Sequence, residues 1–288
     1  MTQSASSHPG KTAPLRVGWV IGHARSGTSI TAYAAAHAGG AAVADEILGP
    51  WDRTGPPYGY PAEQAELVKQ FKASHARLTP NIIDAANALF AHIAREQQTG
   101  FVVSKHPHLR FTPSEFEAGF PEHHGVWLIR NPLRRLASIH ARGWTSIIRP
   151  NHDLDYFREY AERWLAIEEQ RRVVFENLKL DADAYFGRVL DAWGWPNDTD
   201  NRRRAVWYQR NEYHGKSGER ETGRNTRRSL SDVKRLAPPE AVELYLNDPF
   251  MQDLFERCGW DLNRKSYLPT TVQRVSDRLR ALRTGTRE

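Results

Sequence analysis

Residues 15–29 read LRVGWVIGHARSGTS, an apolar run that leads into a glycine-containing loop. The run Leu15–Ile21 is short and apolar, which is typical of a buried strand. A helix is predicted directly after the loop, at Thr28–Ala38, because this segment is rich in alanine and Gly39 and Gly40 follow it. A strand, a glycine loop and a helix in this order predict the start of an α/β domain.

The pattern continues along the chain. Further strands are predicted at 101–104, 126–129 and 173–175, and helices near 62–73, at 81–97, from 132, at 153–171 and at 181–193. Strands that alternate with helices predict a three-layer fold, in which a parallel sheet is flanked by helices on both faces. We expect a flexible arm at residues 1–14, one domain at 15–262 and a basic extension at 263–288.

Composition limits the function classes. The chain has 288 residues, a formal net charge of +6 and one cysteine, Cys258, so an intrachain disulfide and a Cys-rich zinc site are excluded. The N-terminus lacks the apolar region of a signal peptide, and no apolar run approaches the roughly 20 residues that cross a bilayer. We therefore expect a cytoplasmic protein without a transmembrane segment. The basic balance suits anionic ligands.

The loop at residues 22–29, GHARSGTS, has the glycine spacing of a Walker A phosphate loop. Its backbone N–H groups and the N-terminus of the following helix favour an anion. However, Thr28 stands where the Walker lysine is expected, and Arg25 is the cation of the loop. This difference argues against ATP with magnesium and favours a donor with a single phosphate in the loop. The expected contacts are His23, Ala24, Arg25, Ser26, Gly27, Thr28 and Ser29.

A second anion site is predicted after the strand at 126–129. Arg130 ends this strand, and Ser138 follows eight positions later, on the second turn of a helix that begins at Pro132. Arginine holds a phosphate with a planar fork, and serine adds a hydroxyl donor. Ligands of parallel sheets bind at the carboxyl ends of the strands, where both sites are expected. Two phosphate sites at one edge predict a nucleotide that is phosphorylated at two positions.

These motifs together resemble the sulfotransferases that use 3′-phosphoadenosine-5′-phosphosulfate (PAPS). GHARSGTS at 22–29 is similar to their 5′-phosphosulfate loop, with Arg25 in place of the usual lysine, and LIRNPLRRLASIH at 128–140 is similar to their 3′-phosphate motif. Three further segments resemble family elements: VVSKHPHL at 102–109, VVFENLKLDADAYFGRVLDAWGWP at 173–196 and GRNTRRSLSDVKRL at 223–236. The resemblance implies a sulfotransferase fold related to nucleotide kinases, PAPS as co-substrate and no metal. The acceptor that it implies is a hydroxyl group of a small molecule, a glycan or a lipid.

The resemblance also suggests residue roles. Glu46 is the first candidate for the general base, with Asp45 beside it, and His106 is the alternative. Lys105 is expected near the leaving phosphate or the sulfuryl oxygens. Arg227 and Arg228 are candidates for late donor contacts, and Trp51, Tyr58 and Tyr60 for an acceptor pocket.

Two other functions stay open on the sequence alone. One is a nucleotide or small-molecule kinase related to the phosphate-loop enzymes. The other is a non-catalytic binder of nucleic acid or another polyanion, which the net charge suits. However, no standard nucleic-acid motif is present in the sequence, and nucleic acid is not expected as a partner. The Arg-rich C-terminal segment is compatible with a membrane-surface contact or a homodimer.

Overall fold

The computed structural model describes residues 14–45, 78–106, 112–141, 150–213, 233 and 236–260, which are the described part of the chain. Its strands are β1 (Arg16–Gly22), β2 (Ala42–Asp45), β3 (Phe101–His106), β4 (His124–Ile129) and β5 (Arg172–Val174). The helices before β5 are α1 (Thr28–Gly39), α2 (Pro80–Glu96), α3 (Pro113–Gly119), α4 (Pro132–His140) and α5 (Pro150–Ala166). After β5 come α6 (Asn177–Leu180), α7 (Ala182–Ala192), α8 (Thr199–Asn211), α9 (Pro239–Asn247) and α10 (Pro249–Arg257).

The five strands form one parallel sheet in the order β2-β3-β1-β4-β5. β1 lies at its centre, with β3 on one side and β4 on the other. The chain therefore changes direction across the sheet at β1, and the loops that leave β1 and β4 are neighbours at the carboxyl edge. Such a position is where parallel sheets bind their ligands. The predicted three-layer α/β fold is confirmed.

Apolar side chains cover both faces of the sheet. On one face, Trp19 and Ile21 of β1 pack with residues of α2, α5, α9 and α10. On the other, Val20 packs with residues of α1, α7 and α8. This alternation follows from the two-residue period of a strand that is buried on both sides.

Helix α7 approaches the sheet closely at one point. A Cβ atom on Gly18 would lie 2.6 Å from the ring of Trp193, which follows α7, and the Trp193 indole donates a hydrogen bond to Trp19 O at 3.2 Å. The absence of a side chain at Gly18 thus lets a large aromatic ring rest directly on the central strand.

The predicted element boundaries differ from the structure in places. Helix α5 was expected at 153–171, but it spans Pro150–Ala166 and is followed by a short 3₁₀ turn at Glu169–Arg171. The short run at 42–45 forms the edge strand β2. The helix expected near 62–73, the N-terminal arm and the extension from 263 lie outside the described residues. Within the described part of the chain, no helix is long and apolar enough to cross a membrane.

Candidate functional site

The loop after β1 has two residues in the left-handed region. Arg25 has φ 67° and Gly27 has φ 89°. Between them, the Ser26 N–H donates to His23 O at 3.0 Å, which closes a tight turn. Gly27 is the N-cap of α1 and offers no side-chain cap. Because the first N–H groups of a helix have no partner within it, this turn and the start of α1 together offer donors that suit an anion.

Ser26 adds a buried hydroxyl to the loop. It is 0% exposed, and no hydrogen-bond partner for its Oγ is found among the described residues. A buried polar atom without a partner costs free energy unless a ligand or water satisfies it. The fit with an anionic ligand is therefore good at this position. Thr28, at the place of the Walker lysine, is also buried.

The two predicted anion sites lie side by side. Arg25 Nε donates to Ser138 Oγ at 3.2 Å, and Arg130 Nη1 donates to Arg25 O at 2.7 Å. Ser138 lies on the second turn of α4, as predicted, but its hydroxyl contacts Arg25. The sequence therefore predicted correctly that the loop and the β4–α4 junction share one edge of the sheet.

Phe175 and Glu176, which follow β5, contact Arg130 and Asn131, respectively. The Arg130 guanidinium lies 5.1 Å from the centroid of the Phe175 ring. Both carboxylate oxygens of Glu176 accept from the Asn131 N–H at 3.3 Å. Burial raises the pKa of the Glu176 carboxyl, although the charges of Arg134 and Arg130 oppose the rise. Neither residue was predicted from the sequence to lie in the site.

Arg135 is a further buried cation behind the loop that the sequence analysis missed. It is 1% exposed and forms a two-bond ion pair with Asp153 of α5. In the sequence, Arg134 and Arg135 follow Leu133 as an apparently exposed basic pair, so no local signal indicates their burial. Both arginines are nevertheless buried: α4 contacts α9, and the ion pair of Arg135 with Asp153 joins α4 to α5.

The end of β3 carries Lys105 and His106, which are both buried. His106 Nε2 lies 3.0 Å from Ser104 Oγ, and its ring centroid is 4.9 Å from that of Trp19. This geometry directs His106 toward the apolar face that holds α2. Lys105 pairs in register with Val20 of β1, one strand away from the anion loop.

Several predicted residues lie outside the described part of the chain. They are Glu46, Trp51, Tyr58, Tyr60, Arg227 and Arg228. Asp45 is the last residue of β2, in register with Lys105 of β3. β2 therefore ends at the same edge of the sheet as β1. In the described residues, no group of three or more His, Cys, Asp or Glu side chains is arranged to hold a metal ion.

No family model and no curated protein matches the chain. Solved structures resemble it at low identity. The sulfotransferase domain of the olefin synthase from Synechococcus PCC 7002 is 16% identical, with a TM-score of 0.45 over 95% of this chain and 98% of that one. A sulfotransferase from Alicyclobacillus acidocaldarius is 16% identical, with a TM-score of 0.40 over 65% of this chain and 83% of that one.

A sulfotransferase from Mycobacterium avium is 11% identical, with a TM-score of 0.43 over 82% of this chain and 77% of that one. All three structures are sulfotransferases, the family that the sequence motifs resemble. At these identities and scores the likeness concerns the fold and says nothing of donors, acceptors or individual residues.

Proposed function

We propose that this protein transfers a sulfuryl group from PAPS to a hydroxyl group of an acceptor. The observation that carries the proposal is the contact between the two anion sites, where Arg25 Nε meets Ser138 Oγ at 3.2 Å and Arg130 meets the Arg25 carbonyl at 2.7 Å. A nucleotide with phosphates at both its 5′ and 3′ positions is a ligand of matching charge and shape for two adjacent anion sites.

The local charge supports a multiply charged anion. Arg25, Arg130, Arg134 and Arg135 lie within or directly behind the loop and the β4–α4 junction. Asp153 compensates Arg135, while burial raises the pKa of Glu176 and so weakens its compensation of Arg134 and Arg130. Arginine clusters in partly buried sites favour phosphate and sulfate groups.

The residue roles below are part of this proposal. The loop residues His23 to Ser29 hold the 5′-phosphosulfate, and Arg130 and Ser138 hold the 3′-phosphate. Arg25 stabilises charge on the leaving phosphate, and Lys105 is a second candidate for this role. Arg227 and Arg228 are proposed donor contacts, and Trp51, Tyr58 and Tyr60 are proposed acceptor contacts.

The transfer is proposed as an in-line displacement, by analogy with phosphoryl transfer. The bond from the acceptor oxygen to sulfur forms while the bond from sulfur to the bridging phosphate oxygen breaks. The hydroxyl proton passes to a general base, for which Glu46 is the first candidate and His106 the second. The donor supplies the sulfuryl group, and the protein supplies charge, orientation and the base.

A thermal-shift experiment with 3′,5′-bisphosphoadenosine, the desulfated product of PAPS, tests the proposal. At about 100 times its Kd, a ligand adds about 2.7 kcal/mol of stability, which corresponds to a rise in Tm of roughly 5–10 °C for a domain of this size. Adenosine 5′-monophosphate and 3′-monophosphate, each lacking one phosphate, should give smaller shifts. Labelled PAPS with an acceptor screen then identifies the acceptor.

Arg25→Ala should abolish the shift and the transfer, whereas Arg203→Ala, an exposed arginine of α8, should leave both unchanged. Two results would reject the proposal. Binding of ATP with magnesium in preference to the bisphosphate would indicate a kinase. A steep salt dependence of DNA or RNA binding, without any nucleotide shift, would indicate a polyanion binder.

A further inference from the structure

Arg135 contacts the donor loop directly, from the side opposite the proposed ligand. Its Nε donates a shared hydrogen bond to His23 Nδ1 at 2.6 Å and to Ala24 O at 3.0 Å. Its two terminal nitrogens donate to Asp153, Nη1 to Oδ2 at 2.9 Å and Nη2 to Oδ1 at 2.8 Å. The guanidinium thus uses three nitrogens to join α5 to the loop.

The contact with Ala24 O fixes the direction of a peptide group. In a trans peptide the C=O and the following N–H point in opposite directions, so the Arg25 N–H points away from Arg135. Arg130 fixes the next carbonyl, Arg25 O, in the same way. Two buried arginines therefore hold the carbonyl side of the loop, which leaves the concave side to the donor.

The contact with His23 fixes a tautomer. A nitrogen that accepts a hydrogen bond from an arginine carries no proton, so the proton of the neutral His23 ring lies on Nε2. Protonation of Nδ1 would place two N–H groups against each other at 2.6 Å. Since its one lone pair is taken by Arg135, His23 is able to donate a hydrogen bond but unable to accept a proton.

Arg135 itself is held in place from two other helices. Asp153 Oδ2 also accepts from the Tyr245 hydroxyl of α9 at 2.9 Å. Burial opposes ionisation of Asp153, but the charge and hydrogen bonds of Arg135, with that of Tyr245, lower the pKa of the carboxyl. The pair therefore stays ionised at neutral pH. The Phe157 ring, 5.6 Å from the guanidinium, packs against the same group.

We propose that Arg135 is a positioning residue of the donor loop: held by Asp153 and Tyr245, it fixes the Ala24 carbonyl and keeps His23 in its neutral Nε2–H form. The part of this inference that concerns donor binding rests on the proposed function. The tautomer of His23 does not, because it follows from the contacts of the protein alone. His23 is accordingly excluded as the general base.

Nitrogen-15 NMR of the histidine side chains tests the tautomer in the wild-type protein at neutral pH. His23→Gln identifies the His23 signals by their loss. We expect an unprotonated Nδ1 and a protonated Nε2. A protonated Nδ1, in either the other tautomer or the imidazolium, overturns the proposal whether or not the protein binds any nucleotide.

Arg135→Lys tests the positioning role, because lysine keeps the charge beside Asp153 but lacks the Nε–H that reaches the loop. We expect the His23 nitrogen signals to move toward a mixture of tautomers and the Kd for 3′,5′-bisphosphoadenosine to rise about tenfold, the equivalent of one or two net hydrogen bonds. Tyr245→Phe, which removes one bond to Asp153, should raise the Kd by less.

The matched control is Arg171→Lys. Arg171 is also partly buried and donates to a backbone carbonyl, Gly125 O at 3.1 Å, but this carbonyl lies at the amino edge of the sheet. Arg171→Lys should leave the Kd for 3′,5′-bisphosphoadenosine and the His23 signals unchanged. If Arg135→Lys lowers only the Tm, with the Kd and the His23 signals as in the wild type, the positioning role is wrong. If the wild type binds no bisphosphate while its His23 is Nε2–H, the proposed function fails and the tautomer assignment stands.

Discussion

At the scale of single residues, the identity of the general base separates two readings of the site. His106 is 1% exposed, hydrogen-bonded to Ser104 Oγ and packed on Trp19, which favours a structural role. We therefore expect Glu46→Gln to reduce turnover by about 10²–10⁴-fold while 3′,5′-bisphosphoadenosine still binds. His106→Ala should instead lower the Tm. Steady-state rates with labelled PAPS and thermal melts of both variants measure this. A large loss of rate in His106→Ala at unchanged Tm, with Glu46→Gln active, would reverse the assignment.

Some residues of the candidate site could be predicted from the sequence, and others could not. The proximity of the loop at 23–29 to Arg130 and Ser138 was predictable, because glycine spacing and the position after a strand are local signals. The roles of these residues in binding a donor stay predictions. Arg135 was not predictable, since its partners Asp153 and Tyr245 come 18 and 110 positions later and only the packing of three helices brings them together.

At the scale of elements, the contact between the start of α1 and the end of β5 depends on Gly27. A Cβ atom there would lie 2.1 Å from the Phe175 ring, and the φ of 89° is already unfavourable for other residues. Gly40, which ends α1 with φ 62°, has no atom within 4 Å of a built Cβ. Gly27→Ala should therefore destabilise the protein by about 1–3 kcal/mol more than Gly40→Ala, which carries the backbone strain without the clash. Urea unfolding of both variants measures the difference; equal losses would show that Phe175 moves aside freely.

Elements also differed in how well the sequence predicted them. The buried strands β1, β3 and β4 and the amphipathic helix α2 stood out by their apolar patterns. Helix α8 was not predicted, because TDNRRRAVWYQRN is mostly polar, and Ala205 and Asn201 are its buried residues. The short helix α3 was also missed, although its capping box, formed by Thr112 and Glu115, is a recognisable start signal.

At the scale of the whole molecule, acid should destabilise the fold in part through the partly buried histidine His123. His123 Nδ1 accepts a hydrogen bond from Trp19 Nε1 at 3.0 Å, and burial, with a smaller effect of His124, lowers the pKa of His123 from 6.5 to about 4. The folded state thus binds fewer protons than the unfolded state between these values. Stability should be full above pH 6.5 and fall toward pH 4, by at most about 1.4 kcal/mol per pH unit from this group.

Urea unfolding between pH 7 and 4.5 measures this slope. His123→Gln keeps an acceptor for the Trp19 indole but does not titrate, so its stability should fall less with pH than that of the wild type. His124→Gln, at an exposed neighbouring position, removes only the smaller of the two effects on His123 and should change the slope less than His123→Gln does. Asp153 does not obscure the comparison. Because the pKa of its carboxyl is lowered from 3.8, its protonation destabilises the protein mainly below about pH 3.8. Parallel slopes in wild type and His123→Gln would refute the role of His123.

The close approach of Trp193 to Gly18 ties two distant positions of the chain to each other. A substitution at only one of the two positions should be unfavourable. A methyl group at position 18 has no space unless a smaller residue replaces Trp193, and a smaller residue at 193 alone leaves a cavity above the central strand. Over evolutionary time, or in a designed library, substitutions at positions 18 and 193 should therefore occur together. A larger residue at one of the two positions should accompany a smaller residue at the other.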